Sequence, residues 1–556
     1  MTSFLGFAQL CRDVEAISGT LDKIDRVAAF LKELDDAELV IASNFVMGVV
    51  FPPSDLVLGI GPSLLYEALT KACGCNQDQI SEMLRATGDP GLVAFRAVEK
   101  RRPQNFAAFL GNDHLSITDV FNRFTVIARS SGKKSQDSKV KNLQYLFGEA
   151  TSLEAQYIAR LAIEDLRIGV GEGGVRDAIS KAFGQPTDII ERGYNLTSDM
   201  GLVAKHARHG TLSELSIIIN HPIKMMLATL GESIPSALKE IGAAAIEWKF
   251  DGARVQIHKD GEKVRIFSRR MENVTSSLPD ISRTVIKNVH ADKAILDGEA
   301  VAEGPDGRPS PFQDILRRFR RKYNVGKLAS QIPLKLHLFD LLYLEGRSLI
   351  DQPLTERRKL LVKSADSSIV AHQVVSDSPE VAEKIYKEAL DAGHEGIMLK
   401  SPSSAYSPGK RGKNWLKLKP VMETLDLVVI GATWGEGRRA SFLGSYRLAC
   451  RDDETGDLLD IGWVATGLTD ENLADLTEMF RDMIIVQTGM EVEIRPKVVF
   501  EVAYEEIQKS PNYSSGYALR FPRLVAVRDD KSPEEADTLD RVVSLYRLQR
   551  GRHSSA

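Results

Sequence analysis

A lysine that could act as a nucleophile stands where a predicted strand meets a hairpin. The stretch Glu247-Trp-Lys-Phe-Asp-Gly-Ala-Arg254 carries it at Lys249. A lysine amine attacks only when it is deprotonated, which nearby cations or the loss of water favour. Arg254, Arg269 and Arg270 supply cations in the same hairpin. Taken alone, a Lys-x-Asp-Gly string is equally compatible with an ordinary strand end that is followed by a turn.

Two further strings carry carboxylates that could hold a metal ion. Leu296-Asp-Gly-Glu299 is predicted to end a strand and to present Glu299 at a turn, as a metal ligand would be presented. Glu395-Gly-Ile-Met-Leu-Lys400 predicts a strand with a carboxylate at its start. Each string is commonplace by itself, so neither alone establishes a metal site.

A strand with an aromatic residue and a strand with two lysines complete the set of candidate site residues. Residues 334–340 alternate strictly, which places Phe339 on the face opposite the leucines. Phe339 is then either a core residue, the usual fate of a strand aromatic, or a platform for a base. Trp415-Leu-Lys-Leu-Lys419 puts both lysines on one face and both leucines on the other. Strand lysines usually face water, but two beside a polyphosphate would neutralise its charge.

These strings lie in a middle segment, from Ala243 to Pro420, that mixes short alternating strands with helices. Its clearest predicted element is a hairpin, with strands over 253–259 and 263–269 joined by a turn at Asp260-Gly261. The hairpin begins directly after the candidate nucleophile. A sheet is therefore expected to position Lys249.

The residues before about 220 are predicted to be mostly helical. Residues 153–166 repeat apolar side chains at helical spacing, and Thr151 with Glu154 has the form of a capping box. Asn220-His-Pro222 breaks the pattern and predicts a domain boundary.

The residues after 420 predict a third kind of domain. Strands are expected over 425–432, 444–450 and 458–465, a helix over 470–485, and further strands over 492–494 and 498–504. Strands interrupted once by a helix after the third favour a small OB-type barrel, a frequent nucleic-acid-binding fold.

Gly169-Val-Gly-Glu-Gly-Gly174 has the G-x-G-x-x-G spacing of a dinucleotide site, but a helix rather than a strand leads into it. The loop is predicted to open a helix near Val175, so its amides suit a DNA phosphate, or it is a plain turn between helices. Residues 130–139 predict a solvated loop. The alternative is that Lys133, Lys134 and Lys139 of this loop contact the DNA backbone.

The bulk composition is compatible with these ideas but does not suggest them. The 556 residues are too many for one core, and the net charge of −4 leaves any DNA affinity to local patches. Four scattered cysteines cannot form a disulfide framework or a four-cysteine zinc site. The N-terminus lacks a basic leader, and the most apolar stretch, 39–51, is too short to span a bilayer. A cytoplasmic protein is expected.

In order and spacing, these motifs resemble those of ATP-dependent DNA ligases of the archaeal and eukaryotic replicative type. The resemblance covers about residues 1–533 and is strongest from Lys249-Phe-Asp-Gly-Ala-Arg254 to Trp415-Leu-Lys-Leu-Lys419. Arg520-Phe-Pro-Arg523 and Arg528-Asp-Asp-Lys531 match the family's last motif. It implies a multidomain α+β chain with a helical DNA-binding domain (1–221), an α+β nucleotidyltransferase, or adenylation, domain (222–420) and a C-terminal OB-fold β-barrel (421–556).

The resemblance also implies roles for single residues. Lys249 would attack the α-phosphorus of ATP and release pyrophosphate. The other residues are expected to serve the nucleotide and its metal ion: Glu247, Phe339 and Met398 at the adenine; Glu299 and Glu395 at Mg²⁺ or the ribose; Arg254 and Arg269 at the adenylate and the 5′-phosphate; Arg411, Lys417 and Lys419 at the ATP phosphates; and Arg528 with Lys531 at the leaving pyrophosphate.

The implied reaction transfers AMP from ATP to lysine and then to a 5′-phosphate, after which a 3′-hydroxyl displaces AMP. ATP and Mg²⁺ are the implied cofactors, and nicked double-stranded DNA is the implied partner of a monomer, in replication, repair and recombination. Whether a sliding clamp also binds stays open. The alternatives are an RNA ligase or GTP-using capping enzyme, relatives that typically lack the large helical domain, and a nick-binding scaffold without activity.

Overall fold

A computed structural model describes residues 2–53, 56–101, 115–130, 132, 134–304, 308–310, 312–319, 325–420, 424–435, 439 and 441–548. Within this part of the chain, none of the helices is long and apolar enough to cross a membrane. The three kinds of segment predicted from the sequence are present in the predicted order.

The first segment is built from helices that pack on one apolar cluster. The capping box at Thr151 is confirmed, because its backbone N–H donates to Glu154 at 2.8 Å and its hydroxyl accepts from the Glu154 N–H at 3.3 Å. The helices are α1 (Phe4–Ala16), α2 (Thr20–Glu33), α3 (Asp36–Val46), α4 (Pro62–Cys73), α5 (Gln77–Thr87), α6 (Pro90–Glu99), α7 (Ile117–Arg129), α8 (Ser135–Glu149), α9 (Ser152–Ala162), α10 (Glu172–Phe183), α11 (Thr187–Thr197) and α12 (Met200–His209).

Two expectations for this segment need correction. The helix predicted to reach residue 166 ends at Ala162, because the chain turns through left-handed conformations at Glu164 and Arg167. The loop predicted over 130–139 is helical from Ser135, and the Lys139 ammonium donates to the carbonyl of Leu58 at 2.5 Å. Lys133 lies outside the described residues.

The middle segment folds into two five-stranded sheets with helices packed on them. The elements are β1 (Leu227–Leu230), α13 (Ile234–Ile241), β2 (Ala244–Lys249), β3 (Ala253–Asp260), β4 (Lys263–Ser268), α14 (Pro279–Asn288), β5 (Lys293–Ala302), α15 (Phe312–Phe319), α16 (Val325–Gln331), β6 (Leu334–Leu344), β7 (Arg347–Ser348), α17 (Leu354–Ser364), β8 (Gln373–Ser376), α18 (Pro379–Asp391), β9 (Gly396–Lys400) and β10 (Arg411–Leu418). The strand orders are β1-β10-β9-β2-β8 in the first sheet and β4-β3-β5-β6-β7 in the second. The predicted hairpin is confirmed as β3 and β4.

The last segment is rich in strands, as predicted. The elements are β11 (Leu425–Trp434), β12 (Leu443–Arg451), β13 (Leu458–Val464), α19 (Asp470–Arg481), β14 (Ile484–Thr488), β15 (Glu491–Ile494), β16 (Val499–Ala503), β17 (Glu506–Lys509), β18 (Tyr517–Arg520), β19 (Arg523–Val527) and α20 (Leu539–Leu548). Strand β11 pairs with β12 on one side and with both β15 and β16 on the other, as a strand that bends around a small barrel does.

Candidate active site

The inner faces of the two middle sheets bring the predicted site residues together. On the first sheet, Ile246, Leu399 and Leu416 pack outward with α13 and α18 in one apolar cluster. Because strand side chains alternate, the neighbours of these residues point to the opposite face. That inner face carries most of the predicted residues of this sheet: Glu247, Lys249, Met398, Lys417 and, just beyond β10, Lys419.

The second sheet has the same arrangement. Val255, Leu296 and Leu338 pack outward in a cluster with α14 and α17. Their neighbours, among them Arg254, Glu299 and Phe339, therefore point inward. Phe339 and Trp415, one from each sheet, belong to a single buried cluster between the sheets. The predicted alternation of residues 334–340 is thus confirmed.

Lys249 is held by a carboxylate at the start of a neighbouring strand. Its Nζ lies 2.5 Å from Glu395 Oε2, and Lys419 Nζ lies 2.5 Å from the same oxygen. Burial would raise the pKa of Glu395, but the ammonium groups of Lys249 and Lys419 outweigh it and lower that pKa to about 2. Glu395 is therefore a permanent carboxylate shared by two lysines.

Glu299 differs from the prediction in its local structure. It lies inside β5, which runs on to Ala302, and not at a turn after a strand. Pairing with β6 on one side and β3 on the other extends the strand through Gly298. Burial raises the pKa of Glu299 to about 8, against the lowering effect of Lys249 and Arg254.

Arg254 is fixed by groups that the sequence did not single out. Its guanidinium forms two hydrogen bonds with the buried Asp297, at 3.0 and 2.6 Å, and donates to the Met226 carbonyl at 2.6 Å. The Tyr406 hydroxyl donates to the same carboxylate at 2.7 Å. Asp297 stands in the string chosen for Glu299, but its position on the inner face could not be seen without the strand register.

Glu247 is buried and already has two partners. Lys400 Nζ donates to its Oε2 at 2.5 Å, and Gln373 Nε2 donates to its Oε1 at 2.6 Å. Lys400 also lies 4.4 Å from the ring centroids of both Phe339 and Trp415. Neither Lys400 nor Gln373 was predicted to serve the site.

Two histidines hold the segment that follows Lys249. The ring of Phe250 stacks on His337 with centroids 4.1 Å apart, and it meets His394 edge-on at 5.1 Å. The Asp251 N–H donates to His394 Nδ1 at 3.4 Å. Burial lowers the pKa of both histidines to about 4, so both are neutral near pH 7. This gives a structural setting to Asp251, whose own pKa burial and the charges of Glu395 and Glu506 raise to about 7.

Four of the predicted residues lie away from this cluster. Arg269 is exposed just beyond the end of β4, and Arg411 is exposed at the start of β10, about six residues or roughly 20 Å of extended strand before Lys417. Arg528 pairs with Asp426 and Asp530 of the last domain, and Lys531 pairs with Asp426 at 2.5 Å. Their roles at the nucleotide stay predictions.

The last domain touches the site through a different surface. Glu505, next to β17, lies 3.5 Å from Lys419 Nζ. Within the described ranges, no group of three or more His, Cys, Asp or Glu side chains could hold a metal ion by itself. A divalent ion at Glu299 and Glu395 would therefore need further oxygen ligands from phosphates and water.

Three family models match successive parts of the chain. One described as DNA ligase N terminus matches residues 3–180, and one described as ATP dependent DNA ligase domain matches residues 225–419. One described as ATP dependent DNA ligase C terminal region matches residues 439–531. The matches follow the helical, two-sheet and strand-rich segments in order.

Whole proteins match as well. The chain is 64% identical to a DNA ligase of Methanothrix thermoacetophila, over 99% of this chain and 100% of the relative. It is 50% identical to a DNA ligase of Archaeoglobus fulgidus, over 98% of this chain and 99% of the relative. The solved structure Pmar-Lig_PreS3 matches 94% of this chain and 99% of its own with a TM-score of 0.54 at 20% identity, which is a likeness of fold.

Proposed function

The chain belongs to the family of ATP-dependent DNA ligases, and on that premise we propose that Lys249 carries AMP from ATP to the 5′-phosphate of a nick. The enzyme seals nicks through an adenylate, the activity of its family, which serves replication, repair and recombination. The observation that carries the assignment of Lys249 is its place on the inner face, in contact with Glu395 and beside Lys417 and Lys419.

The proposed first step joins Lys249 Nζ to the α-phosphorus of ATP and breaks the bond to pyrophosphate. Lys249 must lose a proton before it attacks, and the neighbouring cations Lys417 and Lys419 favour that loss. Glu395, which the two lysines keep ionised, orients the Lys249 side chain through the contact at 2.5 Å. Lys417 and Lys419 lie where they can neutralise the charge that develops on the phosphates. Burial and the charges of Lys419 and Lys249 lower the pKa of Lys417, so this cation is held in a positive field that favours an anion.

Magnesium fits the carboxylates of the site. Glu299 is a carboxyl group that burial leaves without a sufficient counter-charge, as its raised pKa shows, and Glu395 is ionised. These two hard oxygen ligands would hold Mg²⁺ together with phosphate oxygens and water. When bound, the ion would supply positive charge opposite the reacting phosphate.

The second and third steps move AMP to the 5′-phosphate and then release it as the 3′-hydroxyl attacks. Arg254 is proposed to contact the adenylate, since its guanidinium is buried and fixed on the inner face. We assign Glu247, Phe339 and Met398 to the adenine because they share that interior. We also assign Arg269, Arg411, Arg528 and Lys531 to phosphates. In this structure Arg269 and Arg411 are exposed, while Arg528 and Lys531 pair with Asp426.

The helical domain, proposed as residues 1–221, is assigned to duplex DNA. The glycine-rich stretch 169–174 contains the start of α10, which begins at Glu172 and not near Val175 as predicted. The backbone amides of a first helical turn suit a phosphate. The remaining proposed bounds are 222–420 and 421–556. The proposal includes a monomer that works on nicked duplex in the nucleoid of the cytoplasm.

Transfer of label from ATP tests the proposal. The protein is incubated with ATP labelled in the α-phosphate and with Mg²⁺, and the modified peptide is identified by mass spectrometry. We expect one AMP on Lys249 that disappears when nicked duplex is added. Label on another residue, or none, would overturn the assignment.

A further inference from the structure

We propose that Lys400 and Gln373 make the enzyme select a purine with a 6-amino group, because they hold Glu247 as a hydrogen-bond acceptor at the base end of the site. The inference rests on the proposed function, since it takes the nucleotide on Lys249 to lie along the inner face of the first sheet. Neither residue needs to touch the nucleotide. They are positioning residues.

The geometry starts from the strand that carries the nucleophile. Glu247 and Lys249 are two residues apart on β2, so both point inward, about 7 Å apart along the strand. A nucleotide bound through its α-phosphate at Lys249 can extend along this face. Glu247 is 2% exposed, so a base that reaches it meets a carboxylate removed from water.

Both oxygens of that carboxylate are anchored. Gln373 is the cross-strand partner of Glu247 on β8 and donates to Oε1, while Lys400 on β9 donates to Oε2. Each carboxylate oxygen has about two acceptor positions, so one position on each oxygen stays available after these bonds. Glu247 can therefore accept a further N–H but has no proton to donate.

The environment of Lys400 keeps its ammonium in place. Its side chain is 2% exposed, and Nζ lies 4.4 Å from the ring centroids of both Phe339 and Trp415. Cation–π attraction strengthens when the cation is removed from water. The ammonium is thus fixed between two aromatic rings and one carboxylate, and it compensates the buried negative charge of Glu247.

This arrangement distinguishes two kinds of purine. The 6-amino group of adenine donates, and an ionised carboxylate accepts from it through a charge-assisted hydrogen bond. The 6-oxo group of hypoxanthine or guanine accepts only, so the same pose would set two acceptors against each other without a proton. A site built for a donor rejects an analogue that lacks it, because buried polar groups are then left unpaired.

Removal of Lys400 should weaken this selection. A buried carboxylate that loses its cation is stabilised by taking up a proton, and a protonated carboxyl group can donate to a 6-oxo group. K400M is therefore expected to accept inosine triphosphate, whereas K400R keeps a cation and should keep the preference for ATP. The double variant E247Q/K400M removes both charges, which avoids an unpaired buried ion, and its amide can either donate or accept.

The experiment compares kcat/KM for transfer of the nucleoside monophosphate to Lys249 from ATP and from inosine triphosphate, in the full-length protein with Mg²⁺. We expect the wild type and K400R to prefer ATP by about 100-fold or more, the order found when a polar partner is lost. In K400M and E247Q/K400M the preference should fall below about 10-fold. K413M is the matched control, because Lys413 lies on β10 of the same sheet and forms an exposed ion pair with Glu240 of α13. This variant should keep the wild-type ratio.

The outcomes separate the inference from the function on which it rests. A wild type that uses both donors equally, or a K400M that keeps the wild-type ratio, would overturn the inference alone. If K400M fails to fold, the ratio of E247Q/K400M decides in the same way. A wild type that transfers neither monophosphate to Lys249 would overturn the proposed function and the inference with it.

Discussion

Glu299 and Glu395, two carboxyl groups that interact with Lys249, differ in charge although both are partly buried. Glu395 contacts two lysines, which hold its pKa at about 2. Burial raises the pKa of Glu299 more than the nearby cations lower it, so this pKa is about 8. Glu395 is therefore an anion at all working pH values, while Glu299 becomes fully charged only when more positive charge is present.

The raised pKa of Glu299 predicts how stability depends on pH. The ordinary pKa is near 4.5, so between about pH 4.5 and 8 the folded protein retains a proton that the unfolded chain releases. Stability must then fall as the pH rises through this window. E299Q removes the effect, so the variant should be more stable than the wild type at pH 8.5, by about 1–2 kcal/mol for this partly exposed group.

Chemical denaturation at pH 4.5 and 8.5, without nucleotide or metal, measures this difference. At pH 4.5 the two proteins should be nearly equal in stability. A matched surface change, E262Q, tests for general charge effects, since Glu262 is exposed in the turn between β3 and β4. A wild type that gains stability relative to E299Q as the pH rises would contradict the account.

At the scale of elements, strand alternation explains how much of the site could be predicted. Strings such as residues 334–340 and 415–419 separate apolar from functional side chains by their own period, and the structure confirms both. The lengths of the strands were harder to predict from the sequence. The string 296–299 resembles a turn locally, yet pairing with strands on both sides makes it the middle of β5.

The dependence on pairing with other strands also explains which elements and residues could not be predicted. Residues 470–485 were predicted as one helix, but α19 ends at Arg481 and Ile484 begins a strand that pairs with β15. Asp297, Lys400 and Gln373 depend on cross-strand register, which no single segment reveals. Tertiary pairing, and not local propensity, decides these positions.

Gly252 offers a test of how closely the elements meet at the site. A Cβ at this position would lie 2.7 Å from the Ala300 carbonyl oxygen and 2.7 Å from Glu299 Cγ. G252A should therefore displace Glu299 or the start of β3, and we expect adenylation to fall by about 10- to 100-fold, the order that a misplacement of about 1 Å costs. The rate of AMP transfer to Lys249 at saturating ATP measures this loss.

The control is G326A, because a Cβ there meets no atom of the described residues within 4 Å. It should adenylate as the wild type does, and circular dichroism should show both variants folded. A folded G252A with the wild-type rate would mean that β3 and β5 tolerate the extra group without moving the carboxylate.

At the scale of the whole molecule, the joints between domains differ in how they are held. The segment after the helical domain is bound to β3: the Asn220 N–H donates to His258 Nδ1 at 2.9 Å, and the Ile223 N–H donates to Gln256 Oε1 at 2.8 Å. The last domain contacts the site at Lys419 through Glu505, while Arg528 and Lys531 pair with Asp426. If these two cations act on pyrophosphate, the last domain must reorient for the first step.

This arrangement predicts which step depends on Arg528 and Lys531. The double variant R528A/K531A should slow transfer of AMP from ATP by about 100-fold, as loss of a group that stabilises charge does. It should seal a nick that already carries AMP within a few-fold of the wild-type rate, since no pyrophosphate leaves in that step. R447A is the control, because Arg447 pairs with Asp460 in the same domain. Equal loss in both steps would contradict the assignment.

Lys249 is proposed to serve as the covalent carrier of AMP, a role that ends once AMP is on the 5′-phosphate of the nick. The direct measurement is sealing by K249A of two substrates, an ordinary nick with ATP and Mg²⁺ and a nick whose 5′ end already carries AMP, with folding checked by circular dichroism. In the second substrate the 3′-hydroxyl attacks and AMP leaves, so the work of the lysine is complete. We predict no sealing of the ordinary nick and measurable sealing of the adenylated one. Transfer of AMP to a folded K249A protein, with sealing of the ordinary nick, would contradict the account.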